Sequence, residues 1–225
     1  MDRIDGLLKT QESREKEVRR LELNVLQAQI KPHFLYNTLE AMTWMAKLGQ
    51  PEQVEKTARS LTQFYRLSLG QGKDLLPLQE EIAIVRHYFA IQNVRYRHHF
   101  ELFIELPAAM PDFLLPKLTL QPLVENALQH GILESASAQG WVRLAGRQSD
   151  GHWELLLQDS GAHLSLTVWQ QAIRGDSGSS PSGKQDSYGL KNVERRLCLY
   201  FQADHVLYLD QSDPAVTCIV LPFPK

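Results

Sequence analysis

Apolar and small residues recur along the first fifty positions in alternating steps of three and four: Val18, Leu21, Val25, Ala28, Pro32, Leu35, Leu39, Met42 and Ala46. That spacing predicts one stripe of a long helix, a seam for packing against other helices. Leu26, Ile30, His33, Asn37 and Trp44 make a second stripe one residue round, about 100° away. His33 is therefore expected beside the seam, at the edge of solvent. Pro32 removes a backbone donor and tends to bend the helix there. Two readings of Gln29–Asn37 stay open at this point: a kinked core helix with an incidental histidine, or a helix presenting a titratable group. Ahead of it, Glu12, Arg14, Glu15, Lys16, Glu17, Arg19, Arg20 and Glu22 surround a sparse apolar stripe. That is the pattern of a coiled coil leading into the His33 helix.

Gly49-Gln50-Pro51 closes this helix and opens a second, which carries Val54, Ala58, Leu61 and Tyr65 and ends at Gly70-Gln71-Gly72. A third follows Pro77, with Leu78, Ile82, Val85, Phe89 and Gln92 on one face and Glu80-Glu81 in its first turn, where acids are favourable. The period changes at Phe100. Phe100, Leu102, Ile104 and Leu106 alternate with Glu101, Phe103 and Glu105, a half-buried strand. Pro107, Pro111 and Pro116 break the chain, and a helix is predicted from Leu118 to about His130. Strands over Trp141–Gly146 and His152–Gln158 flank Asp150-Gly151, a hairpin signal. A short helix is expected over Leu164–Arg174 and a longer one over Leu190–Phe201, followed by strands His205–Leu209 and Thr217–Leu221. Gly175–Ser187, rich in Gly, Ser, Asp and Pro, is expected as a mobile loop. The predicted class is α+β, helical in residues 1–98 and a sheet with helices on one face in residues 99–225.

Composition narrows the function more than the fold. With 43% hydrophobic and 22% charged residues the chain reads as an ordinary soluble globular protein. A formal net charge of -2 supplies no basic excess for a nucleic-acid groove, so no nucleic-acid partner is expected. Cys198 and Cys218 fit no CxxC or zinc spacing and suit a reducing compartment. No apolar run approaches the roughly 20 residues of a membrane span, and no signal peptide opens the chain, so this portion is expected to make no membrane contact.

Three groups in the second half carry candidate chemistry. In Gln121–Gly131, Leu120, Leu123, Val124, Ala127 and Leu128 make the buried face, while Asn126 and His130, four apart, share another. An amide oxygen, the Glu125 carboxylate and an imidazole within two turns suit Mg²⁺ and phosphate oxygens; the bland alternative is a solvated polar face. Asp159-Ser160-Gly161 ends a strand, where an aspartate accepts from an adenine amino group and glycine admits the base; an ordinary turn has the same composition. Tyr188–Val193 leads a polar loop into a helix whose free N–H groups favour phosphate, although glycine ahead of a helix is common without a ligand.

In this order and spacing, these groups and the Pro-His-Phe-Leu-Tyr-Asn run resemble the sensor histidine kinases of the LytS/YesM-like class. The resemblance covers residues from about 20 to the end. Gln29–Asn37 is similar to the phosphoacceptor stretch, Leu120–Gly131 to the asparagine box, Asp159–Gly161 to the first glycine box, and Tyr188–Val193 with Glu194-Arg195-Arg196-Leu197 to the second. It implies a helical dimerisation and phosphoacceptor hairpin followed by a Bergerat (GHKL) ATP-binding α/β sandwich. It also implies ATP and Mg²⁺ as cofactors, a homodimer, and a response-regulator receiver domain as partner. By the same resemblance His33 takes the γ-phosphoryl group, Glu125 orients the nucleophile or a water, Asn126 ligands Mg²⁺, and His130 faces the phosphates. Asp159 recognises adenine, Gly161 gives it room, Gly189 and Leu190 cradle phosphates, and Gly175–Ser187 is the lid. The implied protein is longer and membrane-anchored, this chain being its cytoplasmic portion. The sequence departs from the pattern at Phe34, where many kinases carry an acid, at Ser160 and His163 in the first glycine box, and at Ser187. The altered glycine box alone supports a rival reading, a nucleotide-binding signalling scaffold with a degenerate kinase site. An ATPase unrelated to signalling is a second rival, and it leaves the His33 stretch unexplained.

Overall fold

A computed structural model describes residues 32–69, 73–96, 99–135, 139–161, 164–174, 188–213 and 217–223. The expected coiled-coil entry, the seam from Val18 to Ala28, His98, His163 and the Gly175–Ser187 loop lie outside the described residues.

Helices α1 (Pro32–Lys47) and α2 (Pro51–Leu69) form a hairpin. Its turn is set by Gly49, whose φ of +70° lies in the left-handed region. Gln50 N–H reaches the Met45 carbonyl and Gly49 N–H that of Ala46, which satisfies carbonyls that the helix end would otherwise orphan. Strand β1 (Leu75–Pro77) leads into α3 (Leu78–Arg95) and pairs antiparallel with β3 (Leu114–Pro116). These two three-residue strands were not expected. Each ends in proline, which cannot donate to a ladder, so in the sequence they read as breaks.

The main sheet is built from β2 (Phe100–Glu105), β4 (Gly140–Ser149), β5 (His152–Asp159), β6 (Tyr208–Asp210) and β7 (Thr217–Phe223). Its order is β2-β4-β5-β7-β6, parallel between β2 and β4 and antiparallel elsewhere. The β4–β5 hairpin turns at Asp150 and Gly151, both with positive φ (47° and 78°), as a tight primed turn requires. Val142, Leu144, Leu155, Leu157, Ile219 and Leu221 bury one face in the core shared with α3, α4 (Leu120–Asn126) and α6 (Tyr188–Phe201). Helix α5 (Leu166–Arg174) contributes Trp169 to the same core. On the other face Leu156, Cys218 and Val220 make a small cluster, and Glu154 is held by Arg147 and the Tyr208 hydroxyl. The class is α+β, as expected, a helical hairpin followed by an α/β sandwich.

Helix α3 departs from its sequence pattern. Alongside the expected Leu78, Ile82, Val85, Phe89 and Gln92 it buries Glu81, Ile84, Tyr88 and Ile91. A helix apolar on several sides belongs between layers, and α3 packs on α2 and α1 as well as on α4 and β2. The Tyr88 ring lies 5.3 Å from Phe34 and 6.1 Å from Phe64, and Phe34 lies 5.1 Å from Phe64. The core therefore runs continuously across residue 98.

Phe34 also sets the rotation of α1. Thr38 and Met45 are buried with it, whereas Leu39 of the expected seam is 45% exposed, as are Tyr36, Trp44 and Leu48 to a greater degree. The stripe buried within this chain thus sits one residue ahead of the expected seam, because the aromatic cluster takes Phe34. Ile84 lies on the side of α3 that its sequence pattern left unassigned, and it is fully buried. Ile84→Ala is expected to destabilise the fold by about 2–5 kcal/mol, read as a lowered urea midpoint at unchanged slope.

Candidate functional site

Helix α4 starts two residues later than expected because Leu118, at φ +59°, holds a left-handed conformation. Beyond Asn126 the chain continues as a π-helical turn, Ala127–Ile132, and Leu133 N–H reaches back five residues to the Leu128 carbonyl. Such turns are rare and gather at functional sites. The wider turn changes the phase between Asn126 and His130, so their four-residue spacing no longer places them directly in line. Glu125 is half-buried between two amides, Gln121 at 3.1 Å and Gln129 at 3.2 Å. It lies close enough to Tyr88 that burial first, and the Glu125 charge second, push the Tyr88 hydroxyl well above its usual pKa. Asn126 is half-buried and has no hydrogen-bond partner among the described residues. Its amide oxygen is available to a cation. The described residues hold no cluster of three His, Cys, Asp or Glu side chains suited to a metal. That donor set fits Mg²⁺, which keeps waters and takes its remaining ligands from phosphate oxygens. The His130 ring meets Glu134 at 3.1 Å.

The end of the π turn closes on the end of β5. A side chain added at Gly131 would meet Asp159 Oδ1 at 2.5 Å, and one added at Gly161 would meet the Gly131 backbone at 2.0 Å. Two glycines are thus needed for two chain segments to touch. Asp159 is 2% exposed, and its Oδ1 accepts the Gly161 N–H at 2.9 Å. Burial raises its pKa to about 7, opposed in part by that one bond. The Ser160 Oγ accepts the Trp141 N–H at 2.9 Å, so this serine extends the pairing of β4 and β5 by one bond. Gly131 was named only as the end of a run in the sequence. Its contact with Gly161 joins residues thirty apart and has no signature in local spacing.

At the start of α6 no heavy atom of the described residues lies within 4 Å of a side chain added at Gly189. Leu190 is 4% exposed, so its side chain belongs to the core. His33 is exposed one residue ahead of the anchored Phe34, and the Asn37 amide nitrogen lies 3.0–3.1 Å from its ring nitrogens. A separate cavity of about 310 Å³ between α2, α3 and β2 is lined by Lys56, Ser60, Arg86, Phe89 and Asn93, and by none of the candidate residues. Sequence reasoning also missed Glu81 and Arg196 as buried partners of the loop that opens α4.

The raised pKa of Asp159 carries a sign for stability. Its folded value, about 7, lies above its unfolded value of 3.8. The wild type is therefore favoured below about pH 4, and it loses stability as pH rises through about 7, by roughly 4 kcal/mol in all. Asp159→Asn removes that penalty. The variant is expected to melt higher than the wild type at pH 8, with a smaller gain at pH 5, and to bind adenine nucleotide more weakly at both; calorimetric melts and nucleotide titrations at the two pH values check this.

A family model for histidine kinases matches residues 21–100. The sensor histidine kinase YesM of Bacillus subtilis strain 168 is 34% identical over 224 residues, 100% of this chain and 37% of YesM. The sensor protein kinase HptS of Staphylococcus aureus strain USA300 is 31% identical over 175 residues, 76% of this chain and 33% of HptS. The chain thus spans about a third of the length of these relatives. A solved structure of a bacterial phosphotransferase, 17% identical, matches with a TM-score of 0.52 over 90% of this chain and 95% of that one, a likeness of fold. With sequence similarity running the length of the chain and a family model across residues 21–100, the chain belongs to the histidine kinases.

Proposed function

We propose that this chain is the kinase portion of a two-component sensor: it transfers the γ-phosphoryl group of ATP to His33 and then to an aspartate on a response-regulator receiver domain. The observation that carries the reading is the contact of Gly131 with Asp159 and Gly161. It brings the asparagine-box helix and the first glycine box, thirty residues apart, to one place. Residues 1–98 supply the phosphoacceptor and 99–225 the nucleotide site, a functional division laid over one continuous core. The whole protein is membrane-anchored in this reading; among the described residues no helix is long and apolar enough to cross a membrane.

ATP enters as the substrate. Asp159 accepts the adenine amino group, a donor that a buried carboxylate with one hydrogen bond lacks. Gly189 and the backbone of Leu190 face the phosphates at a helix start. Asn126 holds Mg²⁺, which when bound neutralises charge on the phosphate oxygens. His33 attacks as the neutral imidazole. A ring-nitrogen lone pair forms the N–P bond as the bond to the ADP oxygen breaks, and the imidazole proton leaves to solvent. Glu125 lies on the Tyr88 side of α4, the side on which Phe34 anchors His33, and in this reading it orients the attacking ring.

Incubation with γ-labelled ATP and Mg²⁺ tests the assignment. Acid-labile, base-stable label on the wild type, lost in His33→Gln with nucleotide binding intact, is the expected result, and persistent labelling of that variant would falsify it. Asn126→Asp is expected to cut labelling sharply; a rate near wild type moves the metal site elsewhere. Label on no residue, with ATP still bound, favours the scaffold reading.

The homodimer belongs to the same proposal. Leu39, Tyr36 and Trp44 leave α1 with an apolar side that is exposed among the described residues, and a second hairpin closes it as a four-helix bundle. Light scattering at micromolar concentration is expected to give twice the chain mass, and Leu39→Glu to lower it; a monomeric wild type counts against the bundle.

A further inference from the structure

The loop that opens α4 is held from two sides by charged side chains that no step above uses. Glu81, on the first turn of α3, is 0% exposed. Its Oε1 accepts the Leu118 N–H at 2.7 Å, and its Oε2 accepts those of Thr119 and Leu120, both at 2.8 Å. Arg196, on α6, is 3% exposed. It donates to the carbonyls of Lys117 at 2.8 Å and Leu118 at 2.6 Å. Leu118 thus gives its N–H to one ion and its C=O to the other, in a left-handed conformation that an unbranched loop has little reason to hold.

Two charges buried together are rarely the most stabilising way to fill a core, and apolar residues of similar volume often do as well or better. What such a pair supplies is a fixed geometry. Here the geometry joins three helices at one point. Glu81 caps α4 from outside, so the place of α4 is tied to α3 and, through Tyr88, to the Phe34 anchor beside His33. Arg196 stands two turns along the helix that Gly189 opens, so the same point is tied to the phosphate side. Asn126 and Glu125 lie at the far end of α4, less than two turns from the clamp.

We propose that Glu81 and Arg196 are positioning residues for phosphoryl transfer: clamping Lys117–Leu120, they set α4, and with it Asn126 and Glu125, against the helix that begins at Gly189. This rests on the nucleotide-site reading above. Neither residue touches substrate; both act through Asn126.

The test compares the full chain as wild type, Glu81→Gln, Arg196→Lys and the double variant Glu81→Gln/Arg196→Met. Each is measured for folding by circular dichroism, for affinity towards a fluorescent ATP analogue, and for autophosphorylation against Mg²⁺ concentration. Hydrogen exchange at Leu118–Leu120 is followed in parallel. Glu81→Gln keeps one acceptor oxygen but turns an N–H₂ towards backbone donors, and Arg196→Lys keeps the charge but cannot serve two carbonyls as a fixed fork. The expected result is folded protein in which those amides exchange faster, the maximal rate falls at least roughly tenfold, the scale of a small misplacement, and the Mg²⁺ midpoint rises. The double variant is expected to regain melting temperature without regaining rate or midpoint. Folded variants with wild-type rate and Mg²⁺ dependence overturn the proposal, as does a double variant that recovers activity along with stability. Should Glu81→Gln fail to fold, Arg196→Lys decides by the same readouts. Asn126→Asp serves as the control: if it labels normally the metal reading fails and the proposal falls with it, whereas a crippled Asn126→Asp beside unaffected Glu81 and Arg196 variants sinks the positioning role alone.

Discussion

Three backbone N–H groups converging on one buried carboxylate are the constraint on which this half-helical, half-sheet arrangement turns. The first N–H groups of a helix have no partner within it, and a buried start needs an acceptor from elsewhere. Thr119, where a capping side chain would serve, instead bonds backward to the Pro116 carbonyl. Glu81 fills the role from α3. Burial raises its pKa, while the three N–H groups and Arg196 oppose the rise; burial in turn lowers that of Arg196, and Glu81 opposes it. Each ion is tolerable because the other is present. Removing one leaves the other buried without its partner, which is why the pair behaves as a unit rather than as two contacts.

The same logic in reverse governs Asp159. Among the described residues its buried carboxylate accepts a single hydrogen bond and has no cation beside it. A residue chosen for stability at neutral pH would be an amide. An uncompensated acid in a core is the kind of local sacrifice that marks functional positions, and its missing donor is the complement of an amino group. Glu81 and Asp159, both buried acids, thus stand apart by what surrounds them: among the described residues one accepts three backbone N–H groups and holds a helix, the other accepts one.

Much of this was legible from the chain. Periodicity found the helices, alternation found β2, and Asp150-Gly151 marked the one tight hairpin, since each is a local property. The asparagine box and the glycine boxes were visible as short motifs. What was not legible is long-range. Glu81 read as an acid in a first turn, favourable for its own helix, and nothing near it announces that it caps another helix 37 residues on. Gly131 needs its glycine because of Gly161, and the π turn that carries it there has no pattern of its own. Ile84 and Tyr88 lay off the single apolar face assigned to α3, because a one-faced reading assumes a helix at the surface, and α3 lies between layers.

The displaced stripe on α1 follows from that central position. An aromatic side chain buries more surface than a leucine, so Phe34, seated between Phe64 and Tyr88, fixes how α1 is rotated and turns Leu39 outward. His33, one residue before Phe34, is rotated by about 100° from it and so comes to the surface. The exposed apolar side of α1 and the exposed histidine are therefore consequences of one ring in the core. A change at Phe34 bears on both, and through Tyr88 on α3, whose Glu81 holds the start of the helix that carries Asn126. The helix that carries His33 and the helix that carries Asn126 are thus joined through packed aromatic rings and one carboxylate on α3.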